Sequence, residues 1–67
     1  MPIVHVYVFK EFSEEAKRKT IEGITKVFTD MGIPIEAIEV IIHEIPMENW
    51  GIGGRQANEK LKHIKIP

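Results

Sequence analysis

The sequence predicts an α+β fold in which a strand, a helix and a second, parallel strand form one β-α-β unit. Three observations predict it: a β-branched run at residues 2–9, an amphipathic segment at residues 14–31, and an isoleucine-rich run at residues 38–45. Short connections join these segments, so we expect a right-handed crossover between the strands. We expect residues 1–67 to form a single domain, because the sequence has neither an internal repeat nor a linker.

The first predicted strand, residues 2–9, is rich in the β-branched and aromatic side chains that strands favour. Successive side chains of a strand point to opposite faces, so its residues divide into two sets. Both sets are largely apolar, which is typical of a strand that is covered on both sides. The sets are Val4, Val6 and Val8 on one face, and Ile3, His5, Tyr7 and Phe9 on the other.

The helix predicted at residues 14–31 has clear signals at both ends. Ser13 is a favourable N-cap, and acidic residues follow in the first turn, where the helix dipole stabilises them. Gly32 suits the position just beyond the helix, and Pro34 cannot continue it. Apolar and small side chains recur at spacings of three and four, which predicts a face packed on the sheet. That face consists of Ala16, Thr20, Ile21, Ile24, Val27, Phe28 and Met31.

The second predicted strand, residues 38–45, alternates between two apolar faces and ends before Pro46. A turn-rich segment follows at residues 46–54. Residues 55–67 carry more basic than acidic side chains, and we expect this charged tail to be solvated. The faces of the second strand carry Ile38, Val40 and Ile42 on one side, and Ile41 and Ile45 on the other.

Composition excludes several classes of function. A formal net charge of −1 provides no global field for nucleic acid or an anionic membrane. The absence of cysteine removes disulfides, thiol nucleophiles and thiolate metal sites. No apolar run approaches the ~18 residues of a membrane span, and no signal peptide opens the chain. We therefore expect a soluble, cytoplasmic protein without nucleic-acid or membrane partners.

The chain is too short to bury much of its own apolar surface. A domain of about 60 residues is marginal alone and usually needs disulfides, a metal or partner subunits. Yet 43% of the 67 residues are hydrophobic. A sheet of two strands also leaves both edges open for pairing. We therefore expect a homo-oligomer built from a dimer with a four-stranded sheet.

Pro2 can be interpreted in two ways. Proline at the first residue of a strand is harmless, because its missing N–H is not needed there. Removal of Met1, which a small second residue permits, would instead expose a secondary amine. An α-amino group titrates near ~7.7–8, and apolar surroundings lower the pKa of an amine further. Pro2 would then be able to act as a general base at physiological pH, whereas an attached Met1 would make its nitrogen an amide.

The remaining polar and turn residues give weaker signals. His5, His43 and His63 match no zinc spacing; the first two suit a core or interface and the third a solvated tail. Residues 51–54 do not complete a dinucleotide-binding or P-loop motif. We therefore expect their glycines to adopt positive φ angles or to allow a close approach of the backbone. Trp50 is either a packing anchor or a pocket wall.

Taken together, four segments resemble the 4-oxalocrotonate tautomerase family, over roughly residues 2–55. The resemblance implies a β-α-β monomer that pairs into four-stranded dimers, commonly assembled into hexamers as trimers of dimers. It implies catalysis by the processed Pro2, which moves a proton within a keto or enol acid without a cofactor or metal. It also implies that Trp50, where phenylalanine is usual, lines the apolar pocket. The segments are Met1-Pro2-Ile3-Val4, Ser13-Glu14-Glu15, Ile38-Glu39-Val40-Ile41-Ile42-His43-Glu44 and Trp50-Gly51-Ile52-Gly53-Gly54.

The sequence departs from the family at two positions where a substrate-binding arginine is usual. The resemblance aligns these arginines with Phe12 and Glu39, neither of which is basic. Bidentate arginine contacts to a carboxylate are strong, so their loss argues against the dianion 4-oxalocrotonate as a good substrate. Lys10, Arg18 and Arg55 are candidate replacements, although solvated surface is the simpler interpretation of all three.

Two alternatives to a tautomerase stay open. Relatives use the terminal proline for dehalogenation by hydration or for decarboxylation, which a halogenated acrylate assay would reveal. Loss of both arginines is also compatible with a non-catalytic oligomeric binding protein, in which Met1 would be retained.

Overall fold

The computed structural model describes the whole chain, Met1–Pro67, and contains the predicted β-α-β unit. Strand β1 (Ile3–Phe9) leads into helix α1 (Glu14–Thr29), which is followed by strand β2 (Glu39–Ile45). The two strands pair in parallel along their full lengths. Both begin one residue later than the sequence predicts. Each strand also keeps one unpaired edge, because the sheet has only these two members.

The two faces of the sheet have different surroundings. Val4, Val6 and Val8 of β1, with Val40 and Ile42 of β2, are half-buried on the face that α1 covers. Lys17 of α1 reaches across this face to Glu44, with Nζ and Oε2 2.7 Å apart. The opposite face, which we call the open face, carries Ile3, His5, Tyr7 and Phe9 of β1 with Ile41, His43 and Ile45 of β2. The division of side chains between faces is as predicted.

Helix α1 is bounded by the two caps that the sequence indicates. The Oγ of Ser13 accepts a hydrogen bond from the N–H of Ala16 at 3.1 Å. At the other end, Gly32 has a φ of 92°. The N–H of Gly32 donates to the carbonyl of Thr29 and the N–H of Ile33 to that of Phe28, which is the Schellman pattern.

The helical face packed on the sheet is narrower than predicted. The helix ends at Thr29 rather than at Met31, and Met31 is 68% exposed. Val27 is 52% exposed, although Ile24 and Phe28 beside it are half-buried. Neighbouring strands lie about 4.8 Å apart, so a sheet of two strands covers only the centre of the apolar face of α1. Val27 lies at the edge of that face and is left exposed.

The carboxyl-terminal third folds back on itself. A single 3-10 turn (Met47–Asn49) precedes a short hairpin of β3 (Gly51–Ile52) and β4 (Arg55–Gln56). Its two-residue turn is formed by Gly53 and Gly54, with φ angles of 59° and 84°. Both angles lie in the left-handed region that such hairpins require and that glycine adopts without strain. A one-turn helix, α2 (Ala57–Lys60), follows.

The prediction of a solvated tail at residues 55–67 was wrong for Ala57, which is fully buried, and for part of the last segment. The N–H of Ser13 donates to the carbonyl of Pro67 at 2.8 Å, which returns the end of the chain to the start of α1. Ile66 is half-buried, and Ile64 lies on the same cavity as Phe9. Two isoleucines separated by one residue give this segment an apolar side, which is why it lies on the apolar end of the sheet rather than in water.

The chain is elongated and leaves much of its apolar surface uncovered. Its Cα radius of gyration is 14.6 Å, against about 11 Å for a compact domain of this length. Its accessible surface is 5031 Å², against about 4,300 Å² for a typical monomer of this mass. Ala57 is the one fully buried residue. Neither helix has the length and apolarity needed to cross a bilayer.

Candidate active site

An apolar cavity of about 220 Å³ lies at the carboxyl end of β1. Its inner wall is aromatic, because the indole of Trp50 packs on the phenyl ring of Phe9 with ring centroids 4.5 Å apart. Phe12, which follows β1, and Tyr7 of the open face extend this wall. The outer wall is the returning tail, residues 64–67. The arrangement provides an open, largely apolar groove against which an organic molecule could pack.

Backbone hydrogen bonds on both sides hold Trp50 in place. The 3-10 turn brings the N–H of Trp50 to the carbonyl of Met47 at 3.2 Å. The carbonyl of Trp50 accepts from the N–H of Ala57 at 2.7 Å, and Ala57 is fully buried. The indole is therefore a fixed wall, as well as a packing partner of β1.

Pro2 lies at the other end of the sheet. Its carbonyl accepts a hydrogen bond from the N–H of Glu39 at 3.0 Å, so it sits beside the first residue of β2. At about 3.3 Å per residue, β1 separates Pro2 from Phe9, and hence from Trp50, by about 20 Å. One chain therefore does not bring Pro2 and Trp50 together.

The three candidate basic residues all lie outside the cavity. Lys10 follows β1, where its N–H donates to the carbonyl of Ile45 at 3.0 Å. Arg18 on α1 pairs with Glu14 at 3.8 Å, and Arg55 on β4 pairs with Glu59 at 3.3 Å. These two ion pairs lie on exposed surface, where such contacts contribute little to stability.

Phe12 and Glu39, where the sequence departs from the family that it resembles, lie at opposite ends of the sheet. Phe12 lines the cavity beside Trp50, where it adds apolar surface rather than charge. Glu39 is exposed at the start of β2, next to Pro2. Neither end of the sheet thus gains a cation from these positions.

The sequence did not single out the tail as part of this site. Ile64, Lys65, Ile66 and Pro67 all line the cavity. The available signal was the alternation of isoleucine with lysine after α2, which indicates an extended segment with one apolar side. What the sequence could not supply was the surface on which that side would lie.

His5 and His43 form a cluster on the open face. Nδ1 of His5 and Nε2 of His43 are 2.9 Å apart, so one ring donates a hydrogen bond to the other. The ring of His43 also stacks on Tyr7, with centroids 4.6 Å apart. Because Tyr7 also lines the cavity, the histidine pair adjoins the cavity on the open face.

The chain matches a known protein family along most of its length. The family described as tautomerase enzyme matches residues 2–59. The 2-hydroxymuconate tautomerase of Comamonas testosteroni is 40% identical over 60 residues, which cover 88% of this chain and 95% of that protein.

Two solved structures share the fold. A structure from work on the 4-oxalocrotonate tautomerase isozymes of Methylibium petroleiphilum superimposes with a TM-score of 0.80 at 41% identity, covering 85% of this chain and 94% of the other. TomN, a 4-oxalocrotonate tautomerase homologue of the tomaymycin biosynthetic pathway, gives a TM-score of 0.83 at 32% identity, covering 88% and 92%.

The β-α-β unit is thus the fold of an isomerase. The chain belongs to the tautomerase family, and the resemblance inferred from its sequence is confirmed.

Proposed function

We propose that the protein is a cofactor-independent tautomerase that shifts a proton within an enol, keto or unsaturated keto acid, with the processed Pro2 as general base. The observation that carries the proposal is the match to the tautomerase family, which starts at residue 2 and runs nearly to the end of α2. The substrate class is supported by similarity to a 2-hydroxymuconate tautomerase, which acts on a compound of this kind by its name.

Removal of Met1 gives Pro2 the chemistry that the reaction needs. A free α-amino group titrates near ~7.7–8 in model peptides, far below lysine, and apolar surroundings favour its neutral form. The neutral amine takes the proton of the enol O–H, and the electrons of that bond form the carbonyl. The conjugated double bond then takes the proton back from the prolinium at carbon, which restores the neutral base. No atom or electron is left over, so a cofactor is not required.

The site requires more than one subunit. About 20 Å of strand separates Pro2 from Trp50 within a chain. Apposition of two chains in opposite directions brings the amino end of one sheet toward the carboxyl end of another. The unpaired edges of β1 and β2 and the apolar open face favour such an assembly, with a four-stranded dimer as its unit and a hexamer as its final form. Trp50 of one subunit then forms the wall that shields Pro2 of another.

The proposal is tested with processed protein and its Pro2→Ala variant. Both are assayed on phenylenolpyruvate and 2-hydroxymuconate, after intact-mass measurement has established that Met1 is absent from each. We expect a fall in kcat of about 100-fold or more in the variant, because general-base catalysis typically contributes 10²–10⁴-fold. Equal rates for the two proteins would exclude Pro2 as the base.

A second measurement tests whether the base forms in the cell. We expect the chain isolated from its native host to have an intact mass that lacks the leading methionine. A mass that includes it would make the nitrogen of Pro2 an amide and would reject the mechanism. A 3-haloacrylate assay run in parallel distinguishes tautomerisation from dehalogenation on the same framework.

A further inference from the structure

We propose that Lys65 binds the substrate carboxylate in the cavity beside Trp50, so that the site selects keto or enol acids with one carboxylate and an aromatic or similarly apolar body. This inference rests on the proposed function and identifies the substrate class within it. Lys65 provides charge, and the walls around it provide apolar surface of the size of one ring.

The cavity matches such a molecule in size and polarity. Of its nine lining residues, seven are hydrophobic, and Lys65 is the one whose side chain carries a charge. The remaining polar group is the phenol of Tyr7. The volume of about 220 Å³ exceeds the ~150 Å³ of an apolar cavity that accommodates benzene. An aromatic ring therefore has room to lie against the packed pair of Phe9 and Trp50, together with a short acidic side chain.

Contacts on both sides hold the segment that bears Lys65. On its amino side, the N–H of Ile64 donates to the carbonyl of Leu61 at 3.2 Å. On its carboxyl side, Ile66 is half-buried and the carbonyl of Pro67 accepts from the N–H of Ser13. Ser13 is also the N-cap of α1, so the tail is attached to a well-defined part of the fold.

Lys65 is free to bind an anion. The ion pairs of the structure use Lys17, Arg18, Lys26 and Arg55, and none uses Lys65. Lys65 lies beside an apolar cavity and has no acidic partner. It can therefore attract a carboxylate without first breaking an ion pair. Hydrogen bonds to charged groups are stronger than neutral ones, so we expect loss of this contact to weaken binding about 10- to 100-fold.

A single cation also explains selectivity between one and two carboxylates. The second carboxylate of a dicarboxylate would find no second cationic side chain among the lining residues and would lie against the apolar surface of Phe9, Phe12 or Trp50. Arg18 and Arg55 do not line the cavity and are each paired with a glutamate. We therefore expect the protein to prefer an aryl enol acid such as phenylenolpyruvate over 2-hydroxymuconate.

The test uses three variants of the processed oligomer. Lys65→Met removes the charge and keeps the aliphatic stem, Lys65→Arg restores a cation, and Lys62→Met changes an exposed lysine of the same tail that does not line the cavity. With phenylenolpyruvate, we expect Lys65→Met to raise KM about 10- to 100-fold with a smaller change in kcat. We expect Lys65→Arg and Lys62→Met to stay within about threefold of the parent. Parent-like KM in Lys65→Met, or an equal rise in Lys62→Met, would overturn the inference.

A binding measurement separates this inference from the proposed function. Trp50 is the single tryptophan, so quenching of its fluorescence by phenylpyruvate reports binding at the cavity in the inactive Pro2→Ala protein as well. We expect Kd to rise about 10- to 100-fold in Lys65→Met, and we expect added NaCl to weaken binding only when residue 65 is a cation. If no variant catalyses the reaction but these shifts occur, the proposed function is wrong, while the role of Lys65 in binding the carboxylate is supported. An unchanged Kd in Lys65→Met overturns the role of Lys65 whatever the activity.

Discussion

The indole of Trp50 and the phenyl ring of Phe9 meet at an angle of 58°, with their centroids 4.5 Å apart. Tilted aromatic pairs of this kind contribute about 0.5–1.5 kcal/mol beyond the burial of their area. This contact joins the carboxyl-terminal third of the chain to β1 and forms the inner wall of the cavity. We therefore expect stability and substrate binding to depend on the same pair of rings.

Substitution at Trp50 should separate packing from chemistry. We expect Trp50→Ala to lower the free energy of unfolding by about 1–3 kcal/mol, because a half-buried aromatic ring is lost. We expect Trp50→Phe to retain most of that stability, since an aromatic pair with Phe9 is preserved. Urea unfolding at fixed protein concentration measures the difference. Equal destabilisation by both substitutions would show that the Phe9 contact is not what holds this segment.

Stability should depend on protein concentration. One fully buried residue in a chain of 67 is a very small core, so we expect folding to depend on surface buried between subunits. Sedimentation velocity is expected to give a species of six times the 7.7 kDa chain mass, with a Tm that rises on concentration. A folded monomer with a concentration-independent Tm would be incompatible with this prediction.

Introducing a single charge should show whether the open face is buried between subunits or exposed to solvent. Ile41 lies on the open face, whereas Lys19 lies on the exposed side of α1. We expect Ile41→Glu to shift the oligomer toward smaller species, because a carboxylate would be buried without a partner. Lys19→Glu, the matched control, should leave the sedimentation coefficient unchanged. A shift of equal size in both variants would indicate a general effect of charge.

The glycines of the hairpin and of the helix should respond in opposite directions to alanine. Gly53 has a φ of 59°, and an added Cβ would lie 3.2 Å from Nζ of Lys60, so we expect Gly53→Ala to cost about 1–3 kcal/mol. Gly23 lies within α1 with no atom within 4 Å of an added Cβ. Gly23→Ala should stabilise the protein by about 0.5–1 kcal/mol. Thermal unfolding at one concentration compares them, and a loss of stability in Gly23→Ala would place a partner subunit against that face.

The hydrogen bond between His5 and His43 should be visible as a coupling energy. The two residues are diagonal neighbours on the open face, since His5 lies opposite Ile41 and His43 opposite Tyr7. Phenylalanine at either position keeps a ring for stacking but removes the bond. In a cycle of His5→Phe, His43→Phe and the double variant, we expect a coupling of about 0.5–1.5 kcal/mol in the free energy of unfolding. Additivity within about 0.3 kcal/mol would mean that the bond does not stabilise the sheet.

Local features of the fold were predictable because they depend on neighbouring residues. The faces of β1 follow from a period of two, and the ends of α1 follow from the capping chemistry of Ser13 and Gly32. The parallel pairing follows from the short connections and the helix between the strands. Each of these rules acts over a few residues or on topology alone.

Features that depend on distant surfaces were not predictable. The sequence makes Val27 apolar, but its exposure is decided by a sheet only two strands wide. The sequence does not show that Lys65 lines the cavity, because this depends on the return of the tail to Ser13. The positions of Lys10, Arg18 and Arg55 relative to the cavity likewise depend on where Trp50 packs. Motif spacing carries none of this information.

The bond from Ser13 to the carbonyl of Pro67 also determines how the protein can be handled. A purification tag fused after Pro67 would begin at the rim of the cavity, within reach of Lys65. A tag placed before Pro2 would keep its nitrogen acylated. Both ends of the polypeptide are therefore sensitive positions, and kinetic constants would be best obtained from material that carries no fusion peptide.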